Sequence, residues 1–190
     1  MAVITLSRQI GAGETSIAPA VAQRLGWKLV DRHILNKEVE KSGIEMPWMV
    51  QHDERAPGLV EAWSHPQEQR RYFEALQQTM REYASLGRMV IVGRGGNCIL
   101  RDEDALHLHL MADMPFRVQR VMEIRWMNEG PASEIITRSD RDRQAFYRHY
   151  FRCDWGDPLG YHAILNTGQL GVDAAIEMIV GLAGQMLGTG

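Results

Sequence analysis

Four short stretches of this sequence hold residue types whose spacing suits the chemistry of anions. The first is Ser7 to Ser16, SRQIGAGETS, which follows the apolar run Ala2 to Leu6. A buried strand, a glycine-bearing turn and a helix in that order form a cradle for phosphate. Gly11 and Gly13, on either side of Ala12, let the backbone approach phosphate oxygens. The helix start adds N–H groups and the positive end of its dipole. Thr15 or Ser16 offers a hydroxyl to a magnesium ion. Laid on the phosphate-loop pattern GxxxxGK[ST], Arg8 stands at the first glycine and Glu14 at the lysine. A carboxylate thus occupies the position of a phosphate-binding ammonium, and Arg8 is the residue able to restore that charge from the other side of the loop. The competing reading is a tight strand-to-helix turn without a ligand.

Two further features close short apolar runs. Asp31-Arg32 ends WKLVD, where an acidic residue orients a sugar or base, reaches magnesium through water, or simply caps the next helix. Gly93 to Gly96, GRGG, ends MVIV, and Arg94 between glycines is set to fork onto a phosphate, against the alternative of a surface arginine in a turn. The fourth stretch is TRSDRDRQAFYRHYFR. Positions 138, 141, 145, 148 and 152 share one helical face, and four of the five are arginine. Arg138, Arg141 and Arg143 suit phosphoryl transfer, in which fixed positive charge stabilises spread negative charge. Asp140 and Asp142 are candidates to tether them. The interleaved Phe146, Tyr147, Tyr150 and Phe151 suggest a docked helix whose polar stripe faces a cleft, and a solvated charged face is the alternative.

The elements that must position these residues follow from periodicity. Ala2–Leu6, Trp27–Asp31, Met89–Val92, Leu106–Met111 and Ile164–Leu165 read as short strands buried on both faces. Between them lie helical patterns: one from Ile17 that Gly26 ends, then His33–Lys41, Gln67–Leu86, Pro115–Asn128, Ala132–Arg152 and Val172–Leu187. A break is expected at Gly130-Pro131. Ser42–Pro66 reads as irregular, with Met46, Trp48, Met49 and Trp63 as local core or a base-binding lip. Alternating strands and helices imply a parallel sheet covered on both faces, and ligands in such sheets sit beyond the carboxyl ends of the strands. His107 and His109 project to one side of their strand and read as packed rather than as a metal pair.

Composition narrows the partners. A chain of 190 residues suits one domain that buries a core without staples. Its net charge of −3 sets up no global field for nucleic acid or an anionic membrane, so an anion site must be local. Cys98 and Cys153 lie far apart in the sequence and form no CxxC pair, which argues against a disulfide framework or a cysteine zinc site. The amino terminus carries no targeting pattern, and no apolar run approaches the roughly 18 residues of a membrane span. The expectation is one cytoplasmic domain over 1–190, binding neither nucleic acid nor membrane.

ITLSRQIGAGETSIA, LVDRHIL, DERAP, VIVGRGGNCIL, RSDRDRQAFYRHYF, DWGDPLGY and ILNTGQLG occur in an order that resembles the cytidylate kinase-like family. The resemblance covers nearly the whole chain. It implies a three-layer α/β/α fold of the P-loop, nucleoside-monophosphate-kinase type with a helical lid over about 132–156 and an acceptor-side insertion over about 42–66. It also implies ATP with magnesium as donor and a small phosphorylated acceptor, CMP or dCMP first. The loop Arg8 to Ser16 would hold the ATP phosphates, Asp31 and Arg94 the acceptor, and Arg138, Arg141 and Arg143 would form the lid that excludes water. Three departures stand out. Glu14 replaces the lysine, Val92 replaces an acidic residue before Gly93-Arg94, and Arg32-His33 replace a small polar-glycine pair. Glu14 and Val92 favour a rival reading, a catalytically weak nucleotide-binding module, whereas the arginines favour an enzyme. A kinase of a non-nucleotide metabolite would keep the same fold.

Overall fold

The computed structural model describes residues 2–13, 15–41, 43–44 and 66–188. Glu14 and the insertion with Met46, Trp48, Met49 and Trp63 lie outside the described residues. The elements run β1 (Val3–Arg8), α1 (Ile17–Leu25), β2 (Lys28–Val30), α2 (Arg32–Lys41), α3 (Pro66–Leu86), β3 (Met89–Val92), α4 (Gly96–Ile99), β4 (Ala105–Met111), α5 (Met114–Arg125), α6 (Glu129–Phe151), β5 (Ala163–Asn166), α7 (Thr167–Leu170) and α8 (Val172–Leu187).

All strand pairs are parallel, in the order β2-β3-β1-β4-β5. Because side chains alternate along a strand, each buried strand feeds two cores. Ile4, Leu6, Val90, Val92, Leu106, Leu108 and Leu110 pack on one face against α1 and α8. Val3, Met89 and Ile91 pack on the other, against residues of α2, α3, α4 and α6. Two covered faces make three layers, as expected. A smaller cluster of Ile10, Val118, Val121, Ala132 and Ile136 joins α5 to α6 beside the β1–α1 turn.

The second face carries a polar seam. Thr5 is in register with His107 and Ser7 with His109. Thr5 Oγ1 meets His107 Nδ1 at 2.7 Å, and Ser7 Oγ accepts from the Trp155 indole N–H at 2.8 Å. His107 stacks on His162, while His109 lies between the rings of Trp155 and Tyr161. Both strand histidines are buried, and no group of three or more metal-ligating side chains is gathered among the described residues.

One break falls elsewhere than expected. α5 ends at Arg125, where Trp126 turns left-handed at φ 53°, and α6 begins at Glu129. Gly130-Pro131 therefore lies in the first turn of α6. Proline is tolerated there because the amide it lacks has no intrahelical acceptor. Among the described residues, no helix is long and apolar enough to cross a membrane.

Candidate active site

The turn after β1 is held from three directions. Arg117 Nε donates to the Ile10 carbonyl at 2.8 Å, Thr167 Oγ1 donates to the Ala12 carbonyl at 3.1 Å, and the Gln9 amide bonds to Leu110 O at 2.9 Å. Gly11, at φ 83°, runs so close to α5 that a Cβ would lie 2.7 Å from the Arg117 carbonyl oxygen. Only glycine fits both the dihedral and the gap. The Ser16 and Ile17 amides bond to Gly13 O at 3.2 and 3.1 Å and open α1. The backbone of Gly11, Ala12 and Gly13 is thus preset by contacts within the protein.

A cavity of about 580 Å³ opens at the carboxyl ends of β1, β2 and β3, bounded by α6. Among the described residues, Arg8, Arg32, Arg125, Arg138 and Arg143 line it against Asp31 and Asp142. A chain of net charge −3 therefore concentrates positive charge at one place. Such clustering in a concave, low-dielectric site raises the local concentration of anions. Thr15 lines the same cavity, with Leu29 and Val92 on its apolar side. The Ser16 hydroxyl is turned to Gly13 O at 3.5 Å.

The strand-end residues part company. Asp31 reaches the cavity and also caps α2, one carboxylate oxygen accepting from the His33 and Ile34 amides at 2.9 and 3.0 Å. The capping reading of Asp31 holds, and those bonds use one of its two oxygens. Arg94 does not line the cavity. It is 1% exposed, with a terminal nitrogen 3.5 Å from Asn36 Oδ1, which also accepts from the Tyr72 hydroxyl at 2.8 Å. Arg94 thereby ties α2 and α3 to the end of β3.

The expected arginine stripe is corrected. Arg141, Ala145, Arg148 and Arg152 are exposed, and α6 buries the opposite face through Ile136, Ser139, Arg143, Phe146 and Tyr147. The aromatic residues dock the helix, as their presence implied, but they turn the stripe to water. Arg138, at one end of that stripe, still lines the cavity, where Asp142 stands 3.9 Å away. Arg143 arrives from the buried face. It donates to Ser139 Oγ, and its guanidinium carbon stands 5.7 Å from the centre of the Trp155 ring. Asp140 holds no arginine of its own helix and instead pairs with Arg117 of α5 through two bonds of 2.7 Å.

Residues that sequence reasoning missed include Arg117, Arg125 and Trp155. Nothing in the spacing of Arg117 or Arg125 marks them: the partners of Arg117 come from the β1 turn and α6, and Arg125 meets the cavity from the end of α5. Trp155 lies in the DWGDPLGY stretch, yet its contact with Ser7 spans 148 positions. Burial, and then the positive charge of Arg143, depress His109 to about 4, so it stands neutral under this charged roof.

A parallel sheet with a preset turn, a cationic cavity and a helix closing over it defines a protein of the nucleoside-monophosphate-kinase-like class. Residues 3–169 match the model of the cytidylate kinase-like family, and the chain belongs to that family. The cytidylate kinase of Archaeoglobus fulgidus is 25% identical over 183 residues, covering 93% of this chain and 92% of that protein. Among solved structures, an uncharacterized protein from Eubacterium ventriosum superposes with a TM-score of 0.76 at 20% identity, covering 96% of this chain and 98% of that one. Shikimate kinase from Bacteroides thetaiotaomicron gives 0.55 at 18% identity, with 98% of each chain covered. These structural likenesses define the fold. Family membership supports a phosphotransferase of a small substrate.

Proposed function

We propose that the chain is an ATP- and magnesium-dependent phosphotransferase acting on a nucleoside monophosphate, CMP or dCMP first, or on a similar small phosphorylated acceptor. The observation that carries this reading is the cavity that, among the described residues, sets five arginines against two aspartates beside Ile10 and Thr15, which flank the glycine turn. Two phosphorylated substrates brought together need that surplus of positive charge, and simple burial of polar groups does not call for it.

In this reading the backbone of Gly11, Ala12 and Gly13 cradles the donor phosphates, with Thr15 beside them. Arg8, at the end of β1, supplies the charge that a lysine at position 14 would bring. Asp31 orients the acceptor, with Arg32 beside it. Arg94 contributes through the packing of α2 and α3. Arg138 and Arg143 stabilise negative charge on the migrating group, and Arg141 joins them only if α6 rotates on closing. Magnesium fits the donor set, because the Thr15 hydroxyl and two carboxylates line one cavity and the metal prefers oxygen ligands. Thr15 would hold it, with Ser16 as the neighbouring hydroxyl. A bound magnesium ion would neutralise phosphate charge and fix the geometry of transfer.

Val92 favours a second reading. It lines the cavity at the acceptor side, and the described lining residues include no phenylalanine, tyrosine or tryptophan on which a base would stack. A kinase of a non-nucleotide metabolite, or a nucleotide-binding module of weak catalytic power, uses the same turn without a base site. A phosphoryl-transfer screen with magnesium and ATP against CMP, dCMP, UMP, AMP, GMP and dTMP, with products separated by chromatography, tests the choice. One nucleoside diphosphate appearing with ADP supports the nucleotide kinase. ATP left unconsumed with all six removes it in favour of the second reading.

A further inference from the structure

Cys98 and Cys153 stand 55 positions apart in the sequence, yet their sulfurs meet at 3.3 Å. Cys98 lies in α4, four residues after Arg94. Cys153 follows Arg152, whose φ of 58° ends α6. Both are half-buried and unbridged. Both also line a second cavity of about 440 Å³, whose other lining residues include Arg101, His107, Asp154, Asp157 and His162. Among the described residues, that cavity shares no lining residue with the arginine-lined one. The phosphotransferase reading uses neither sulfur.

Two thiols in contact across separate elements, both facing a cavity, are arranged for one covalent event. A soft metal held by the pair would want further ligands, and no group of three or more is gathered among the described residues. Bridging needs none, and the sulfurs must close only from 3.3 Å to the roughly 2 Å of a disulfide bond. We propose that Cys98 and Cys153 are a modification site, a dithiol that closes reversibly to an intramolecular disulfide with a small hydroperoxide admitted through the second cavity.

The chemistry balances in two steps. The Cys153 thiolate attacks the nearer peroxide oxygen; an S–O bond forms, the O–O bond breaks, and the departing alkoxide or hydroxide takes a proton. Cys98 sulfur then attacks Cys153 sulfur; the S–S bond forms, the S–O bond breaks, and hydroxide leaves as water with the Cys98 proton. The two thiols lose two electrons and the peroxide gains them. Cys153 acts first because burial, and then the neighbouring Cys153 thiol, push Cys98 up to about 12 and keep it protonated. The product ties the end of α6 to α4, the short helix that follows Gly93 to Gly95.

The test treats the reduced, full-length protein with hydrogen peroxide and follows thiols, intact mass and melting temperature. The expected result is loss of both thiols in a monomeric chain, a mass lower by two hydrogens and a proteolytic peptide linking Cys98 to Cys153. The melting temperature should rise by several degrees and return with dithiothreitol. Cys98→Ser should stop at a Cys153 sulfenic acid that dimedone captures, while Cys153→Ser should react at least about tenfold more slowly. Two thiols surviving peroxide would overturn the proposal, as would bridges between chains or over-oxidation without a bridge. A bridge that lowers the melting temperature would overturn it as well, because a pair preformed in the fold closes without strain. These readouts do not involve phosphoryl transfer, so they stand or fall apart from the proposed function.

Discussion

Arg117 and Asp140 are joined by two hydrogen bonds of 2.7 Å between α5 and α6, while the third guanidinium nitrogen of Arg117 holds the Ile10 carbonyl at 2.8 Å. One side chain thus binds the glycine turn to the helix that closes over it. The guanidinium is 5% exposed and the carboxylate 29%, so loss of the carboxylate strands a positive charge out of reach of water.

That asymmetry sets the first prediction. Asp140→Ala should cost about 3 kcal/mol of stability, because an uncompensated buried charge remains. Asp140→Ala combined with Arg117→Ala should cost well under the sum of the single changes. Urea unfolding of the three variants checks this. Additive losses would mean that the pair is not the unit that joins the turn to the helix.

The second prediction concerns Gly95. At φ 70° it lies beneath Phe151, and a Cβ there would come within 2.2 Å of the ring. Phe151 is packed in turn against Phe73, Phe146 and Tyr147, so it has little room to yield. Gly95→Ala should destabilise the protein by about 2–3 kcal/mol through clash and backbone strain together. Gly95→Ala with Phe151→Leu should recover part of that loss. Thermal melts of both variants decide, and no recovery in the double variant would leave backbone strain as the whole cause.

Much of this architecture is legible in the residues, and the reason is physical. Runs such as MVIV and LHLHLM carry their burial in their own composition, so the parallel sheet and its covered faces follow from local pattern. Gly11 and Gly13 mark the turn because a phosphate cradle needs a particular backbone. The side-chain constellation is another matter. The stripe of Arg138, Arg141, Arg148 and Arg152 obeys helical spacing, but spacing cannot say which face docks, and Phe146 with Tyr147 decided that against the stripe. Arg94 resembles a phosphate ligand in its glycine setting, yet Asn36 of α2, itself bonded by Tyr72 of α3, claims it. Arg117 and Trp155 have no local signature, because each acts on an element more than 100 positions away.

The third prediction is a pH dependence. Burial first, and then the charge of His162 for one and Arg143 for the other, hold His107 and His109 at about 4 in the fold. Unfolded histidine titrates near 6.5. Between those values the unfolded chain binds more protons, so stability rises with pH through this window. The contribution is complete above about pH 6.5 and is lost as pH falls toward 4. By pH 5 each histidine should have withdrawn about 1–2 kcal/mol. Melting temperatures between pH 7.5 and 5 should therefore fall in the native sequence and fall less in His109→Phe. Equal slopes for the two proteins would show that His109 titrates normally in the fold.

The last prediction separates the arginines of α6 and rests on the proposed function. Arg138 lines the cavity and Arg141, three residues on, is exposed outside the lining. A fixed positive charge facing the reacting phosphates contributes far more than one in open water, where screening removes most of its effect. Arg138→Ala should therefore lower kcat/KM by at least about 100-fold with whichever acceptor the screen identifies. Arg141→Ala should change it by less than about threefold. Neither substitution removes buried packing, so melting temperatures should stay near that of the native sequence and any kinetic loss is not a folding loss. The opposite order, with Arg141→Ala the more damaging, would mean that α6 rotates on substrate binding and carries its exposed stripe into the cleft. Closure would then consist of a turn of the helix about its own axis, and the arrangement of arginines seen here would be the open state.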